Sequence, residues 1–267
     1  MSAAGRLQNK SIVIVGGTTG LGLSAAKAFA REGALLVVIG RKAEHVAKTQ
    51  DALGDRCVGI AADATDPRTA QQGVEAAVRE FGRLDALYHV AGGSGRKMGD
   101  GPLHEISDEG WAYTQDLNLT SLFYSNRAAV QQFLKQASAG VVLNMGSVLG
   151  WSPSPRYFGS HAYAAAKAAI IGMTKASAAY YAPNNIRLNV IAPALVETPM
   201  AQRAVKDSEI MDFIRTKQPL DGGRVGAPED LDGAAIFLVS DESRFVTGQV
   251  FTVDGGWTVS EGQLQPE

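Results

Sequence analysis

Cysteine is almost missing from this chain: Cys57 is the one such residue among 267, so no internal disulfide can form. The residues around it, DRCVGIAAD, read as a turn followed by a strand, and a reducing cytosol is the natural compartment. Long apolar runs are missing as well. The longest, such as ALLVVIG, are far too short to span a bilayer, and the opening MSAAGRLQNK has no apolar core of the kind a signal peptide carries. Nor is charge of one sign in excess: 25 basic residues stand against 27 acidic ones, for a net charge of -2 and a pI near 6.1, without like-charge blocks. That balance excludes the basic surface that nucleic acids and other polyanions select. The four histidines are scattered, with His45 on a polar helix, His89 at a strand end, His104 in a loop and His161 just before Tyr163. None pairs at helical i, i+4 spacing and no cysteine pair supports them, so no metal is assigned. The expectation is a soluble cytoplasmic protein with neither a membrane nor a nucleic-acid partner.

What is present is 45% hydrophobic and 19% charged residues, enough apolar material for one large α/β domain. Short β-branched runs alternate with longer segments of helical period, the pattern of βαβ units around a parallel sheet. SIVIVGG from Ser11 leads into GLSAAKAFAREG, and LLVVIG from Leu35 into RKAEHVAKTQDALG. CVGIAAD precedes a helix from about Pro67 to Phe81, LDALYHVAG a long helical stretch from about Asp108 to Ala137, and GVVLNMGS the alanine-rich helix that carries Tyr163. IRLNVIAP and GQVFTVDGG supply two more strands, with a polar, mobile-looking segment from about Glu197 to Gly226 between them. The total is seven strands. No linker is long or polar enough to mark a boundary, so residues 1–267 read as one domain.

After the first strand comes GGTTGLG, with Gly16, Gly20 and Gly22 spaced around Thr19 and Leu21. Glycines let the chain turn tightly and approach a pyrophosphate at the N-terminus of the following helix, where unpaired N–H groups and the helix dipole favour anions. The bland alternative is a tight strand-to-helix turn and nothing more. One βα unit later, the second strand ends at Ile39 and is followed by Gly40, Arg41 and Lys42. A carboxylate there would hold the ribose 2′-hydroxyl of NAD, while a guanidinium suits a 2′-phosphate. The sequence therefore favours NADP(H) over NAD(H), against the alternative that Arg41 is a solvated charge at a loop entrance. Asp63, followed by Ala64, is placed to accept a hydrogen bond from an adenine amino group, or else to cap the helix that follows.

Tyr163 and Lys167 are four residues apart, on one face of a helix. A phenol with an ordinary pKa near 10 becomes a usable acid-base group when a cation stabilises its phenolate. As an isolated pattern, Y-x-x-x-K is commonplace. Its context is Ser147, at the carboxyl end of the strand VVLNMGS, in the same sheet as the glycine loop, where ligands of open parallel sheets bind.

Together these residues resemble the short-chain dehydrogenase/reductase family, over nearly the whole chain from about Lys10 to Trp257, and they are similar to 3-oxoacyl-carrier-protein reductase-like members. Five motifs agree in order. Gly16, Gly20 and Gly22, then Asp63 and Ala64, then Ala91 and Gly92 match the cofactor elements; Asn118, Ser147, Tyr163 and Lys167 match the catalytic tetrad. Pro193, Val196 and Thr198 in APALVETPM match the segment at the nicotinamide end. The resemblance implies a Rossmann-type, doubly wound, parallel seven-stranded sheet with helices on both faces. It implies that Tyr163 exchanges a proton with the carbonyl or alcohol oxygen while hydride moves to or from NADP(H). Ser147 would hold that oxygen, Lys167 would lower the Tyr163 pKa and bind the ribose, and Asn118 would hold a water linking Lys167 to solvent.

Departures from the family pattern fall in three places. Val15 stands where threonine is usual, and NNAG reads His89, Val90, Ala91, Gly92, which exchanges polar links between strand ends for packing. Ala194 replaces the glycine that usually follows Pro193. The segment between Ser147 and Tyr163 is long and carries Trp151, Tyr157 and Phe158, one wall of the substrate pocket or else packing of the loop; residues 197–226 would be a substrate lid. The loop GGSGRKMGDGP reads as flexible and solvated, with Arg96 and Lys97 pointing to an anionic or carrier-linked substrate as the less ordinary reading.

The expected function is that of an NADP(H)-dependent oxidoreductase acting on a small ketone or secondary alcohol. An NAD-dependent sugar, polyol or cyclic alcohol dehydrogenase is the alternative, and a non-catalytic dinucleotide-binding scaffold is the alternative of another class. Small residues such as Ala165, Ala169 and Gly172 suit close helix contact, so a homotetramer is expected, with a homodimer next.

Overall fold

The computed structural model describes residues 5–262. Seven strands form one sheet: β1 (Ser11–Val15), β2 (Leu35–Gly40), β3 (Cys57–Ala61), β4 (Ala86–His89), β5 (Gly140–Met145), β6 (Ile186–Pro193) and β7 (Val250–Val253). Their order is β3-β2-β1-β4-β5-β6-β7, and every pairing is parallel. The central strands are continuous apolar runs because helices cover both faces of the sheet. Successive side chains of β1 divide between two cores. Ile12 and Ile14 pack with Phe29, Leu36, Tyr88 and Ile191 on one side. Val13 and Val15 pack with Val37, Ile39, Val74, Phe133 and Leu188 on the other.

Chain order reverses between β1 and β4, and the register aligns Val15 with both Ile39 and His89. The carboxyl ends of these strands therefore open onto one crevice, the switch point at which such sheets bind ligands. The helices α1 (Gly20–Arg31), α2 (Ala43–Leu53) and α3 (Pro67–Phe81) follow the first three strands, where the periodicity expects them.

The predicted helix over 108–137 is broken in three. Ser107 caps α4 (Asp108–Gln115) by accepting from the Gly110 N–H. A π-helical turn, Asp116–Thr120, buries Leu117 and Asn118, and α5 (Ser121–Lys135) continues from it. After β5 comes the long helix α6 (His161–Tyr181). Residues 197–226 are not a bare polar loop: they form α7 (Gln202–Val205) and α8 (Ser208–Lys217), and Ile210 and Ile214 of α8 are buried beside Trp257. A further helix, α9 (Asp232–Val239), has no counterpart in the sequence reading. Its run DGAAIFLV buries Ala235, Ile236, Leu238 and Val239, and a helix apolar on most sides has no amphipathic period to detect. Among the described residues no helix is long and apolar enough to cross a membrane.

Two glycines set a test of this packing. A Cβ on Gly140, at the start of β5, would lie 2.3 Å from ring carbons of Phe133, whereas one on Gly233 in α9 meets nothing within 4 Å. Gly140→Ala is expected to cost about 1–3 kcal/mol by overpacking and to lower the Tm by several degrees. Gly233→Ala is expected to gain about 0.5–1 kcal/mol by removing backbone freedom from the unfolded chain. Thermal melts of the two variants check the pair.

Candidate active site

The glycine loop leaves β1 under tight constraint. Gly16 and Gly17 both donate N–H to the Ile39 carbonyl, at 2.9 and 3.1 Å. Gly16 has φ 87°, and a Cβ there would sit 2.6 Å from the Ala91 nitrogen; one on Gly22 would sit 2.0 Å from the Gly16 oxygen. Backbone thus fills the space that side chains would take. Thr19, the residue before α1, is extended and makes no side-chain cap, and the first turn holds no acidic residue. The opening N–H groups of α1 are therefore available to an anion, with Gly20 facing Thr198 across the cradle and Leu21 packed on the core. This donor set fits a diphosphate.

Gly40 closes β2, and a Cβ there would fall 2.2 Å from the Thr18 hydroxyl. No carboxylate fits at that position unless Thr18 moves. Arg41 and Lys42 beside it are exposed. Asp63 is also exposed, and its Oδ1 accepts from the Thr65 N–H and hydroxyl at 2.9 and 2.8 Å. The helix-cap alternative for Asp63 does not hold, because Asp66 caps α3 by accepting from the Arg68 N–H. Ala64 packs against the second core.

At the end of β4, the N–H groups of Val90 and Ala91 both donate to the Val15 carbonyl, at 2.8 and 2.9 Å. The backbone link between strand ends thus persists beneath the apolar Val15 and Val90. The side-chain polar link has moved rather than vanished. His89 is fully buried, with Nδ1 2.9 Å from the Ser125 hydroxyl of α5 and Nε2 3.0 Å from the Ala91 carbonyl. Burial first, then the charge of Lys167, push its pKa down to about 3. A neutral ring facing a carbonyl must carry its proton on Nε2, so His89 donates to Ala91 and holds the turn toward Gly92.

The π-turn explains how Asn118 reaches the site. Its Nδ2 donates to the carbonyls of Gly93 and Thr114, both at 2.9 Å, and its Oδ1 accepts from the Gly93 N–H at 3.0 Å. Both amide hydrogens are spent on backbone, so any water held by this side chain must donate to Oδ1. Gly92 lies between Asn118 and Lys167: a Cβ there would be 2.8 Å from Asn118 Oδ1 and 3.5 Å from Lys167 Nζ.

Lys167 is 3% exposed and donates to the Met145 carbonyl at 2.8 Å. Burial pulls its pKa down to about 7. Its Nζ lies 5.5 Å from the Tyr163 ring centre. The expectation that Lys167 depresses the Tyr163 pKa is corrected here. Burial instead pushes Tyr163 up to about 12, and the opposing pull comes from the neighbouring Ser147 hydroxyl. The physical reason is that the Lys167 amine is turned toward the Met145 carbonyl and lies 5.5 Å from the ring centre, so the cost of burying the phenolate outweighs what the amine offers it. Ser147 itself, at the end of β5, accepts from the Leu149 N–H at 3.2 Å.

Asp100 escaped the sequence reading. Ser160 precedes α6 without a side-chain cap, and Asp100 supplies one from another loop. Its two oxygens accept from the N–H groups of Ala162 and Tyr163 at 3.0 and 3.1 Å. A lone aspartate in a glycine-rich loop gives no signal of this in sequence. It pins the GGSGRKMGDGP loop to the helix that carries Tyr163, so this loop is anchored rather than free.

The base of residues 197–226 is closed by a parallel bridge between Val196 and Gly226, next to Pro193 and Thr198. The buried Gln218 clamps Leu195, accepting from its N–H at 2.9 Å and donating to its carbonyl at 3.2 Å. Trp257, 1% exposed, meets Phe158 and Phe213 edge-on, both at 5.8 Å, and donates to the Ser152 carbonyl. Tyr157 lies tilted against Phe213, with ring centres 4.9 Å apart. Tyr157 and Phe158 therefore pack the wall, while Trp151 is exposed. Among the described residues no cluster could hold a metal.

The fold and the site together define an oxidoreductase that works through a nicotinamide dinucleotide. A family model described as enoyl-(acyl carrier protein) reductase matches residues 15–258. The chain is 35% identical over 260 residues, 96% of its length and 99% of the relative's, to 2,5-dichloro-2,5-cyclohexadiene-1,4-diol dehydrogenase LinX of Sphingobium indicum. It is 33% identical over 257 residues, 95% of its length and all of the relative's, to the 3-oxoacyl-[acyl-carrier-protein] reductase FabG of Thermotoga maritima. A short-chain type dehydrogenase/reductase from Mycobacterium ulcerans superposes with a TM-score of 0.87 at 28% identity, covering 95% of this chain and 91% of that one. The chain belongs to the short-chain dehydrogenase/reductase family and is an NAD(P)-dependent oxidoreductase of CH–OH and C=O groups.

The burial of Lys167 gives a stability test. In the unfolded chain this amine holds its proton to about 10.5, but in the folded protein only to about 7. Between those values the unfolded state binds more protons, so the cost of burying Lys167 falls as pH rises and is greatest below 7. Lys167→Met is expected to raise the Tm of the cofactor-free protein at pH 6, with a gain that shrinks toward pH 10. Melting curves across that range check it, and a gain independent of pH would contradict it.

Proposed function

We propose that this protein is an NADP(H)-dependent oxidoreductase that interconverts a ketone and a secondary alcohol, with Tyr163, Ser147, Lys167 and Asn118 as its working residues. The observation that carries the reading is the Tyr163 phenol set one helical turn from the buried Lys167, whose Nζ lies 5.5 Å from the ring centre, with the Ser147 hydroxyl as the neighbour that favours the phenolate. The bound dinucleotide supplies or accepts the hydride. Gly16, Thr19, Gly20, Leu21 and Gly22 would hold its diphosphate, Asp63 and Ala64 its adenine, and Ala91, Gly92, Pro193, Val196 and Thr198 its nicotinamide half, with Lys167 on the ribose. A phenol pushed up to about 12 keeps its proton at neutral pH. Tyr163 is thus set to donate to a carbonyl oxygen that Ser147 orients. Asn118 keeps the Gly93 backbone and the Lys167 pocket in shape.

The preference for NADP(H) rests on two features. Thr18 occupies the space that a carboxylate at Gly40 would need, and Arg41 and Lys42 stand exposed beside it, where a 2′-phosphate would meet them. The relatives named above act on a cyclic diol and on a carrier-bound oxoacyl chain. What the two reactions share is a carbon interconverted between a secondary alcohol and a ketone, and the reading is made at that level. A scaffold without turnover has no chemical need for a buried, destabilising Lys167. We further infer one domain with residues 197–226 as its substrate lid, and a cytoplasmic location.

Fluorescence titration with NADPH and NADH, followed by turnover on a ketone panel, tests the reading. Tighter NADPH binding that weakens in Arg41→Ala, with turnover lost in Tyr163→Phe, is expected. Equal affinity for the two nucleotides would overturn the preference, and full activity in Tyr163→Phe would overturn the mechanism.

A homotetramer, or failing that a homodimer, is supported by the outer face of α6, where Ala165, Ala168, Gly172 and Ala176 are exposed and nothing lies within 4 Å of a Cβ on Gly172. Light scattering is expected to give a multiple of the 28.1 kDa chain mass, reduced in Gly172→Arg. A wild-type mass equal to one chain would refute it.

A further inference from the structure

Two cations from different loops meet on one carbonyl. The Tyr157 oxygen accepts from Arg203 at 3.1 Å and from Arg96 at 3.5 Å. Arg96 belongs to the loop that Asn118 holds at Gly93 and that Asp100 ties to the Tyr163 N–H. Arg203 lies in α7, five residues beyond Thr198. Tyr157 belongs to the segment joining Ser147 to Tyr163, six residues before the phenol and so within about 20 Å of it even fully extended. All three loops leave directly from the residues assigned to the chemistry.

Among the described residues no carboxylate forms an ion pair with either guanidinium. Glu209 is taken up by Arg156 and by the Tyr157 hydroxyl, Asp207 caps α8, and Asp100 is committed to the start of α6. Arg203 also lies over the Phe158 ring, 6.0 Å from its centre. Among the described residues each guanidinium makes a single side-chain hydrogen bond, out of five N–H groups that it can offer. Partial burial and repulsion from Arg203 lower the pKa of Arg96, against a weaker pull from Asp100. Arg96, Lys97 and Arg203 are all exposed; what sets Arg96 apart from Lys97 is its hydrogen bond to the Tyr157 carbonyl and its place beside Arg203.

Resting on the ketone and alcohol reading above, we propose that Arg96 and Arg203 form a carboxylate subsite, and that the substrate is a free oxo acid or the corresponding hydroxy acid. A planar carboxylate bridging two guanidiniums satisfies both forks and removes their repulsion, which a neutral substrate cannot do. The subsite spans a loop anchored to α6 and the proposed lid, so the acid would also tie these two walls together.

The test is equilibrium binding in the presence of NADP+, with which a ketone cannot react. The probes are 3-oxobutanoate, 4-oxopentanoate and 4-oxocyclohexanecarboxylate, each paired with its methyl ester. At least one acid is expected to bind about tenfold or more tightly than its ester, a ratio erased in Arg96→Gln/Arg203→Gln, while ester binding stays within about twofold. Lys97→Gln is expected to leave the ratio unchanged, and Arg96→Lys/Arg203→Lys to restore part of it. Equal affinity of acids and esters in the wild type overturns the proposal, as does a ratio that survives the double Gln variant. So does tighter binding of acetoacetyl-coenzyme A than of every free acid, which would move the charge onto a carrier. The predicted binding ratio without NADPH consumption on any acid would leave the subsite standing and overturn the reaction reading instead.

Discussion

A lysine ammonium removed from water is the constraint around which this site is built. Lys167 is buried against one carbonyl, that of Met145, and nothing so small can replace the hydration that a cation loses. The surroundings are arranged to make room for it. Gly92 carries no side chain because any Cβ would press on the Asn118 amide oxygen. His89 stays neutral, since a second charge so near would compound the cost. The π-turn bends one helix so that Asn118 can fix Gly93. On the proposed reading, a dinucleotide ribose would offer Lys167 the polar partners that the protein alone withholds, and part of the folding energy would be held in reserve for binding.

The parts legible in sequence were those written in local pattern. Strand positions follow from β-branched runs, and α3 (Pro67–Phe81) was bounded correctly because proline at its start and Gly82 past its end punctuate it. The glycine loop was readable as a tight strand-to-helix turn because Gly16 and Gly20 supply the positive φ it needs. What stayed hidden depends on distance rather than pattern. Asp100 caps α6 across 62 and 63 residues. α9 lost its period because it is covered on most sides. The Tyr163 pKa depends on the balance between burial and a neighbour's field, and i, i+4 spacing reports the neighbour alone. His89 looked like a lost polar link because its partner, Ser125, lies on another element.

Trp257 shows how distant segments become one wall. Its indole touches the loop after Ser147 through Ser152 and Phe158 and touches α8 through Phe213; Lys217 lies over its face. A residue ten positions from the chain end thereby sets the spacing between two loops that emerge from the opposite side of the site. Aromatic area supplies the cohesion, and the edge-on geometry supplies the direction.

The bridge from Val196 to Gly226 has a consequence for how such a protein diversifies. Because the two ends of that thirty-residue excursion already meet in a hydrogen-bonded pair, its contour can lengthen, shorten or change composition while the sheet beneath feels the same two attachment points. Loop-closure entropy grows only slowly with length, so the penalty for such remodelling is small. On the reading of residues 197–226 as a lid, natural selection could rewrite what enters the crevice as a cassette, with little change to the chemistry at its floor.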